Sequence, residues 1–108
     1  MKLLLEWDGG SVVLEPDRAY VLGRDYSADI PINDSRLSRA HMQVSFANKV
    51  WQLKDLDSSN GSFINGKRIE NHSLTKVVTV ELGGVGNFSV VFTPLTSSTV
   101  KTAKGSFQ

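Results

Sequence analysis

The clearest signs of secondary structure lie in residues 41–69, which read HMQVSFANKVWQLKDLDSSNGSFINGKRI. Apolar and polar side chains alternate over residues 42–46, and this period of two is typical of a β-strand with one buried face. A turn and a returning strand follow over residues 47–54. The pair Asn65-Gly66 predicts a tight hairpin, because both residue types adopt the positive φ that a two-residue turn needs. This stretch therefore predicts a series of antiparallel strands.

The same pattern of short strands extends from this stretch towards both ends of the chain. Turn residues separate the strands at close intervals, and no window of helical length shows an apolar period of 3.6 residues. The other predicted strands cover residues 3–7, 11–15, 19–22, 30–32, 77–82 and 88–92. Many short strands at regular spacing indicate two packed sheets. The sequence predicts an all-β protein, a two-sheet antiparallel β-sandwich of about ten or eleven strands in which Trp51 and Leu53 are core residues.

The chain length of 108 residues fits a single domain. Pro94 is predicted to end the fold, so we expect the domain to occupy residues 1–94. Residues 95–108 are rich in Ser, Thr and Lys, which predicts a flexible tail or linker. The threonines of this segment suggest a second idea, that a phosphorylated tail docks on the domain, but an inert linker is the simpler interpretation (Thr96, Thr99 and Thr102).

The composition argues against several classes of function. A formal net charge of +1 is too small to indicate nucleic-acid binding or contact with a membrane by this domain. The chain has no cysteine and only two histidines, so we expect neither a disulfide nor a metal site, and no cofactor. The apolar run near Met1 is too short for a signal peptide or a membrane span. We expect a cytoplasmic protein, with room for this domain to be part of a larger one.

Four polar motifs interrupt the predicted strands, and their side chains suit an anion. They supply an arginine, small hydroxyls and an amide, which together can hold a dianionic group of oxygen atoms on a surface. The motifs are Gly23-Arg24, Ser38-Arg39-Ala40-His41, Ser58-Ser59-Asn60-Gly61-Ser62 and Asn65-Gly66. Each has a simpler interpretation, since a surface arginine can cap a strand and a turn serine can bond its own backbone.

Taken in order, these motifs resemble the forkhead-associated (FHA) domain, a module that binds phosphothreonine peptides. The resemblance is carried by residues 23–24, 30–34 (IPIND), 37–41 (LSRAH), 51–56 (WQLKDL) and 59–66 (SNGSFING). It implies a SMAD/FHA-like sandwich that binds a threonine-phosphorylated protein or peptide through loops at one end. It also implies a protein–protein interaction module in kinase signalling rather than an enzyme.

The resemblance assigns a role to each motif residue. The phosphate ligands would be Arg24, Ser38, Arg39 and Ser59. The peptide backbone would bind Asn60, and Arg36 would select an acidic side chain three residues after the phosphothreonine. Structural support of the site would come from Gly23, His41, Gly61, Asn65 and Gly66. Two departures from the family pattern, the absence of a Gly-Asp pair at residues 74–77 and the glycine-rich residues 83–87, are expected to lie away from the binding loops.

Two other functions remain to be weighed against this one. A hydrolase could be imagined from Ser38, His41 and Asp55 or Asp57, but neither a nucleophile elbow nor a glycine-rich phosphate loop is present in the sequence. The second is a sandwich that binds proteins without any need for phosphate. Binding that is equal for a phosphothreonine peptide and its unphosphorylated twin would support it.

Overall fold

A computed structural model describes residues 1–95, and these residues form strands, turns and loops without a helix. No segment of this part of the chain could cross a membrane as a helix. The eleven strands are β1 (Lys2–Trp7), β2 (Gly10–Leu14), β3 (Tyr20–Gly23), β4 (Ile30–Pro31), β5 (Met42–Ala47), β6 (Val50–Asp55), β7 (Ser62–Ile64), β8 (Lys67–Arg68), β9 (Asn71–Leu74), β10 (Val78–Leu82) and β11 (Phe88–Leu95).

The strands form two sheets, which confirms the predicted sandwich. The six-stranded sheet has the order β2-β1-β11-β10-β7-β8, and the five-stranded sheet has the order β4-β3-β5-β6-β9. All pairs are antiparallel except β3 with β4, which are parallel. This exception means that the chain crosses from the end of β3 back to the start of β4, so the loop between them lies beside the end of β3.

The alternation seen in the sequence becomes the inner faces of the two sheets. Met42 and Val44 of β5 are fully buried, as are Trp51 and Leu53 of β6, so the predicted core positions of these strands are confirmed. Burying one large aliphatic side chain stabilises a fold by about 1.5–3 kcal/mol. The remaining core residues come from both sheets and from the loops (Leu3, Leu5, Leu14, Leu22, Ile30, Ile32, Leu37, Leu74, Val80, Leu82, Val90 and Phe92).

The predicted hairpin lies between β7 and β8. Asn65 has φ 51° and Gly66 has φ 78°, as a tight turn with two left-handed residues requires. The hairpin is anchored to β10, because Ser62 pairs with Leu82 of that strand. The end of β10 therefore lies next to the loop that precedes β7.

The last strand continues beyond the predicted domain boundary. β11 includes Pro94 and ends at Leu95, which pairs with Lys2. A proline is tolerated here because β10 begins at Val78, opposite Phe92. Of these two neighbouring strands only β1 therefore lies beside Pro94, and the missing N–H is not needed on the other side. The predicted tail from residue 96 onwards, with Thr96, Thr99 and Thr102, lies outside the described residues and stays a prediction.

Candidate functional site

Three loops meet at one end of the sandwich, and Ser38 is the point where they touch. The loops cover residues 24–29, 32–41 and 56–61. The backbone N–H of Arg24 donates to the carbonyl oxygen of Ser38 over 2.9 Å. The backbone N–H of Ser59 donates to the Ser38 hydroxyl oxygen over 3.0 Å. The structure thus brings together residues that are 35 positions apart in the sequence, from Arg24 to Ser59.

Arg24 follows β3 directly, and its guanidinium is held by the neighbouring loop. Its Nε donates to the carbonyl oxygen of Leu37 over 3.0 Å. Within residues 1–95 no carboxylate forms an ion pair with Arg24. A guanidinium has five N–H donors, so the four donors on the two Nη atoms remain to bind a ligand.

Gly23 explains why the arginine can lie so close to the second loop. A Cβ at this position would overlap the carbonyl oxygen of Arg39 and would lie 2.7 Å from its carbonyl carbon and 3.1 Å from the Cα of Ala40. Only glycine lacks this atom, so any other residue would push β3 away from residues 38–40. The role of Gly23 is close packing of two backbones.

Besides the bond from Arg24 to its carbonyl oxygen, Ser38 is held by two hydrogen bonds that leave its hydroxyl proton free. The hydroxyl oxygen accepts from Ser59, as described above, and the Ser38 backbone N–H donates to Nδ1 of His41 over 3.0 Å. A hydroxyl that already accepts one hydrogen bond can still donate one. The contact with His41 involves the Ser38 backbone and not its hydroxyl, which differs from the nucleophile–base contact of a hydrolase.

His41 connects the second and third loops from a fully buried position. Nδ1 accepts from Ser38, so the neutral ring carries its proton on Nε2, which donates to the carbonyl oxygen of Gly61 over 3.0 Å. Burial lowers the pKa of His41 below its ordinary value, although the Gly61 hydrogen bond and the charge of Asp55 oppose this shift. The ring therefore acts as a neutral bridge between two loops.

A buried carboxylate shapes the third loop. Oδ1 of Asp55 accepts from the hydroxyls of Ser58 and Ser62, each over 2.7 Å, and Oδ2 accepts from the Ser58 backbone N–H over 3.0 Å. The Ser58 hydroxyl in turn accepts from the Gly61 backbone N–H over 3.1 Å. Burial opposes ionisation of Asp55, but the hydrogen bonds from the two serines outweigh it and lower its pKa.

The supporting roles of Asp55, Ser58 and Ser62 were missed at the sequence level. A signal was available, because an aspartate followed three residues later by a serine is common in loops where the carboxylate accepts from the backbone. Arg68 was also missed. It lies in β8 and its guanidinium donates to the carbonyl oxygen of Ser58 over 3.0 Å, so this side chain links the far strand of the Asn65-Gly66 hairpin to the third loop.

Asn60 and Arg36 lie together on one flank of Ser38. The Asn60 side-chain Nδ2 donates to the carbonyl oxygen of Arg36 over 2.9 Å. The Arg36 guanidinium binds both carboxylate oxygens of Asp34, from Nε over 2.9 Å and from Nη2 over 2.7 Å. These hydrogen bonds lower the pKa of Asp34 to about 2. The carboxylate is therefore ionised and its charge balances that of Arg36.

A shallow hollow of about 660 Å³ is lined by Arg24 and by Arg39, the residue that follows Ser38. Arg39 is exposed and, within the described chain, takes part in no ion pair. The Tyr26 side chain stands at the edge of the hollow and is 91% exposed. Ser59 is also exposed. Of the predicted phosphate ligands, Arg24 and Arg39 line this hollow together with Asp25, and Ser38 and Ser59 are joined to each other by a hydrogen bond.

The glycine-rich loop of residues 83–87 borders the site, and the expectation that it lies elsewhere was wrong. The Gly83 backbone N–H donates to the carbonyl oxygen of Gly61 over 3.0 Å. A Cβ at Gly83 would lie 2.8 Å from the Cβ of Arg36. The reason is the pairing of β10 with β7, which brings the end of β10 to the third loop.

Comparison with known proteins gives a consistent result. The family described as FHA domain matches residues 20–83, more than half of the chain. Nibrin of Danio rerio is 35% identical over 68 residues, and the ABC transporter ATP-binding/permease protein Rv1747 of Mycobacterium tuberculosis is 30% identical over 67 residues. These matches cover 63% and 62% of this chain but only 8% of each relative.

Solved structures share the whole sandwich. The crystal structure of the FHA-1 domain of Rv1747 from Mycobacterium tuberculosis has a TM-score of 0.81 at 25% identity, covering 85% of this chain and 94% of that one. A domain from a structural study of phosphothreonine-dependent FHA interactions has a TM-score of 0.78 at 22% identity, covering 89% and 99%. With the family match over residues 20–83, these findings confirm the resemblance seen in the motifs, and the chain belongs to the FHA domain family.

Proposed function

We propose that this domain binds a threonine-phosphorylated protein or peptide across the loops at one end of the sandwich, as an interaction module in kinase signalling. FHA domains are phosphopeptide-binding modules. One observation carries the proposal for this chain. The Arg24 guanidinium and the Ser38 hydroxyl are both anchored by protein contacts, through Leu37 and Ser59, while their remaining donors stay free.

The chemistry of the proposed phosphate ligands matches a phosphothreonine. The phosphate group has a charge of about −1.5 to −2 and three acceptor oxygens. Arg24 offers a planar pair of Nη donors, and Ser38 offers a neutral hydroxyl between them and the third loop. Arg39 lines the same hollow as Arg24 and adds a second charge. Ser59, whose backbone N–H binds Ser38, adds a second hydroxyl. Two other arginines of the domain are already neutralised, since Arg18 pairs with Asp29 and Arg36 with Asp34. Arg68 instead donates to the carbonyl oxygen of Ser58, in support of the third loop.

We propose that Asn60 binds the peptide backbone beside the phosphate. One of its amide N–H groups donates to Arg36, and this contact fixes the orientation of the side chain. The second N–H and the Oδ1 atom are left for the N–H and C=O groups of an extended peptide. Because Ser38, Asn60 and Arg24 are all held before a ligand arrives, less conformational entropy is lost on binding.

The proposal includes a cellular role for the module. It binds its partner without catalysis, works in the cytoplasm where protein kinases act, and serves as one part of a larger protein. Residues from 96 onwards would then connect it to other parts of that protein. The short coverage of both relatives, 8% of each, supports a module within a longer chain.

The test is isothermal titration calorimetry with a phosphothreonine peptide pool and its unphosphorylated twin. We expect binding of the phosphorylated pool only. Replacing Arg24→Gln should remove charge-assisted hydrogen bonds worth about 1.5–3 kcal/mol, which is a loss of roughly 10- to 150-fold in affinity. Ser38→Ala should also weaken binding. The control is Lys76→Gln, which removes a charge from the exposed turn before β10 at the other end of the sandwich.

Three results would contradict the proposal. Equal affinity for both peptide pools would support a sandwich that binds proteins without phosphate. Turnover of ester or phosphoester substrates that disappears in Ser38→Ala would support an enzyme. A loss of affinity in Lys76→Gln as large as that in Arg24→Gln would show a non-specific effect of charge.

A further inference from the structure

The charge of Arg36, which lies on one flank of the site, is already balanced by Asp34. Its guanidinium forms two hydrogen bonds with the carboxylate of Asp34. The Arg36 backbone N–H donates to the same carboxylate over 2.9 Å. Three contacts within one short loop fix this ion pair. An acidic peptide side chain would therefore have to compete with a carboxylate that is already in place.

Beside Arg36 lies an open hollow of about 590 Å³ with two aromatic residues in its lining, which we name the Arg36 hollow. Trp7 at the end of β1 and Phe88 at the start of β11 line it and are half-buried against the core. The Trp7 ring lies over Gly10, where a Cβ would be 2.8 Å from a ring carbon. The Trp7 ring is therefore held in place where β1 pairs with β2.

The rim of the Arg36 hollow is acidic. Glu6 and Asp8 line it on either side of Trp7 in the sequence, and both are exposed. No lysine, arginine or histidine of residues 1–95 forms an ion pair with either carboxylate. Since Asp34 balances Arg36, the two carboxylates leave the hollow with an uncompensated negative charge.

The Arg36 hollow is continuous with the proposed peptide-binding surface. The carbonyl oxygen of Arg36 accepts from the Asn60 side chain, and the Arg36 side chain lines the hollow. Asn87 of the glycine-rich loop lines it as well. Arg36 therefore connects the hollow to Asn60, the residue proposed to bind the peptide backbone.

We propose that the Arg36 hollow binds a lysine or arginine side chain of the phosphopeptide, so that the domain reads a basic residue on this flank of the phosphothreonine. The aliphatic part of the side chain packs on Trp7 and Phe88, where a cation is also attracted by the ring faces. Its charge lies near Glu6 and Asp8. The inference rests on the proposed phosphothreonine function, and it is opposite in sign to the acidic preference that the resemblance implied for Arg36.

The experiment scans a degenerate phosphothreonine peptide pool, with Ala, Lys, Arg or Glu fixed in turn at each flanking position. Binding is measured by fluorescence anisotropy. We expect Lys or Arg at one position to bind roughly three- to tenfold more tightly than Ala, as a partly exposed ion pair with a cation–π contact allows. Glu at the same position should bind more weakly than Ala. The double variant Glu6→Gln/Asp8→Asn should remove the preference and leave the affinity for the Ala pool unchanged.

The control variant is Glu15→Gln, which removes an exposed carboxylate that pairs with Lys2 at the start of β1, away from the binding loops. It should leave the basic preference intact. A preference for Glu that disappears in Arg36→Gln would overturn the inference, as would a basic preference that survives the double variant. If no phosphothreonine pool binds more tightly than its unphosphorylated twin, the proposed function itself is wrong. A pool that binds with no preference at any position refutes only the basic subsite.

Discussion

The hydrogen bonds of His41 allow a prediction that separates the two loops it joins. His41→Leu removes both ring contacts, with Ser38 and with Gly61. His41→Asn can keep an acceptor near the position of Nδ1, and His41→Gln can keep a donor near the position of Nε2. His41→Leu therefore loses both contacts. His41→Asn mainly loses the contact with Gly61, and His41→Gln mainly loses the contact with Ser38.

The magnitudes follow from what each backbone group retains. Without His41 the Ser38 N–H has no protein partner, and leaving such a group unpaired costs about 1–3 kcal/mol. The Gly61 carbonyl still accepts from the Gly83 N–H, so losing the ring donor should cost only about 0.5–1.5 kcal/mol. We expect a loss in the free energy of unfolding of about 2–4 kcal/mol for His41→Leu, an intermediate loss for His41→Gln and the smallest loss for His41→Asn.

The assay is urea unfolding followed by tryptophan fluorescence, with phosphopeptide titration of each folded variant. Trp51 is a suitable probe because it is fully buried, with its ring centroid 5.4 Å from that of Phe46. The matched control is His72→Leu, a half-buried histidine of β9 whose side chain makes no hydrogen bond within the described part of the chain. We expect this control to change stability by about 0.5 kcal/mol or less.

One result would refute the reasoning. If His41→Leu unfolds at the same urea concentration as the wild type and binds phosphopeptide equally well, the ring does not hold the two loops together. A loss of stability in His72→Leu that equals the loss in His41→Leu would also contradict it, because burial of an imidazole would then matter more than its two hydrogen bonds.

Three further predictions follow from the same contacts. Stability should fall as the pH is lowered from 7.5 to 5.5, because the folded protein holds the pKa of His41 below its ordinary value of 6.5. The stabilisation that neutral His41 contributes is complete above that value and is lost as the pH falls below it. The urea midpoint of His41→Gln should therefore change less over this range. Gly23→Ala should lower the free energy of unfolding by about 2–3 kcal/mol or more, because its Cβ would clash with the Arg39 carbonyl. Gly66→Ala, in open space at φ 78°, should lower it by about 1–2 kcal/mol because of its backbone conformation alone. Thermal unfolding of the two variants makes the comparison. Asp55→Ala leaves two buried serine hydroxyls without their acceptor and should cost about 2–4 kcal/mol, with faster hydrogen exchange at the Gly61 N–H as the specific sign of a loosened third loop.

Much of the site could be predicted from the sequence because its elements are local. The alternation at Met42 and Val44 and the turn at Asn65-Gly66 depend on neighbours within a few residues, so the class of fold follows from them. The identity of the loop side chains also follows directly, since Arg24 and Ser38 stand where predicted strands stop. The family resemblance then adds the roles that these side chains share with other FHA domains.

The partners of several side chains depended on contacts between distant parts of the chain. Asp34 lies two residues from Arg36, yet nothing in the sequence shows that its carboxylate accepts from both Nε and Nη2 of the guanidinium. The approach of Gly83 to Gly61 requires β10 to pair with β7, a choice that strand patterns do not make.

Local periodicity determined that this chain forms two sheets and which residues occupy the loops between the strands. Only the order of the strands decided which loops meet, and thereby which donors stay free for a ligand. The physical reason is that strand propensity and turn preference act between near neighbours, whereas the pairing of strands is selected by burial of the whole core. In this domain the anchoring of Ser38 by Ser59 and His41 is the result of that selection.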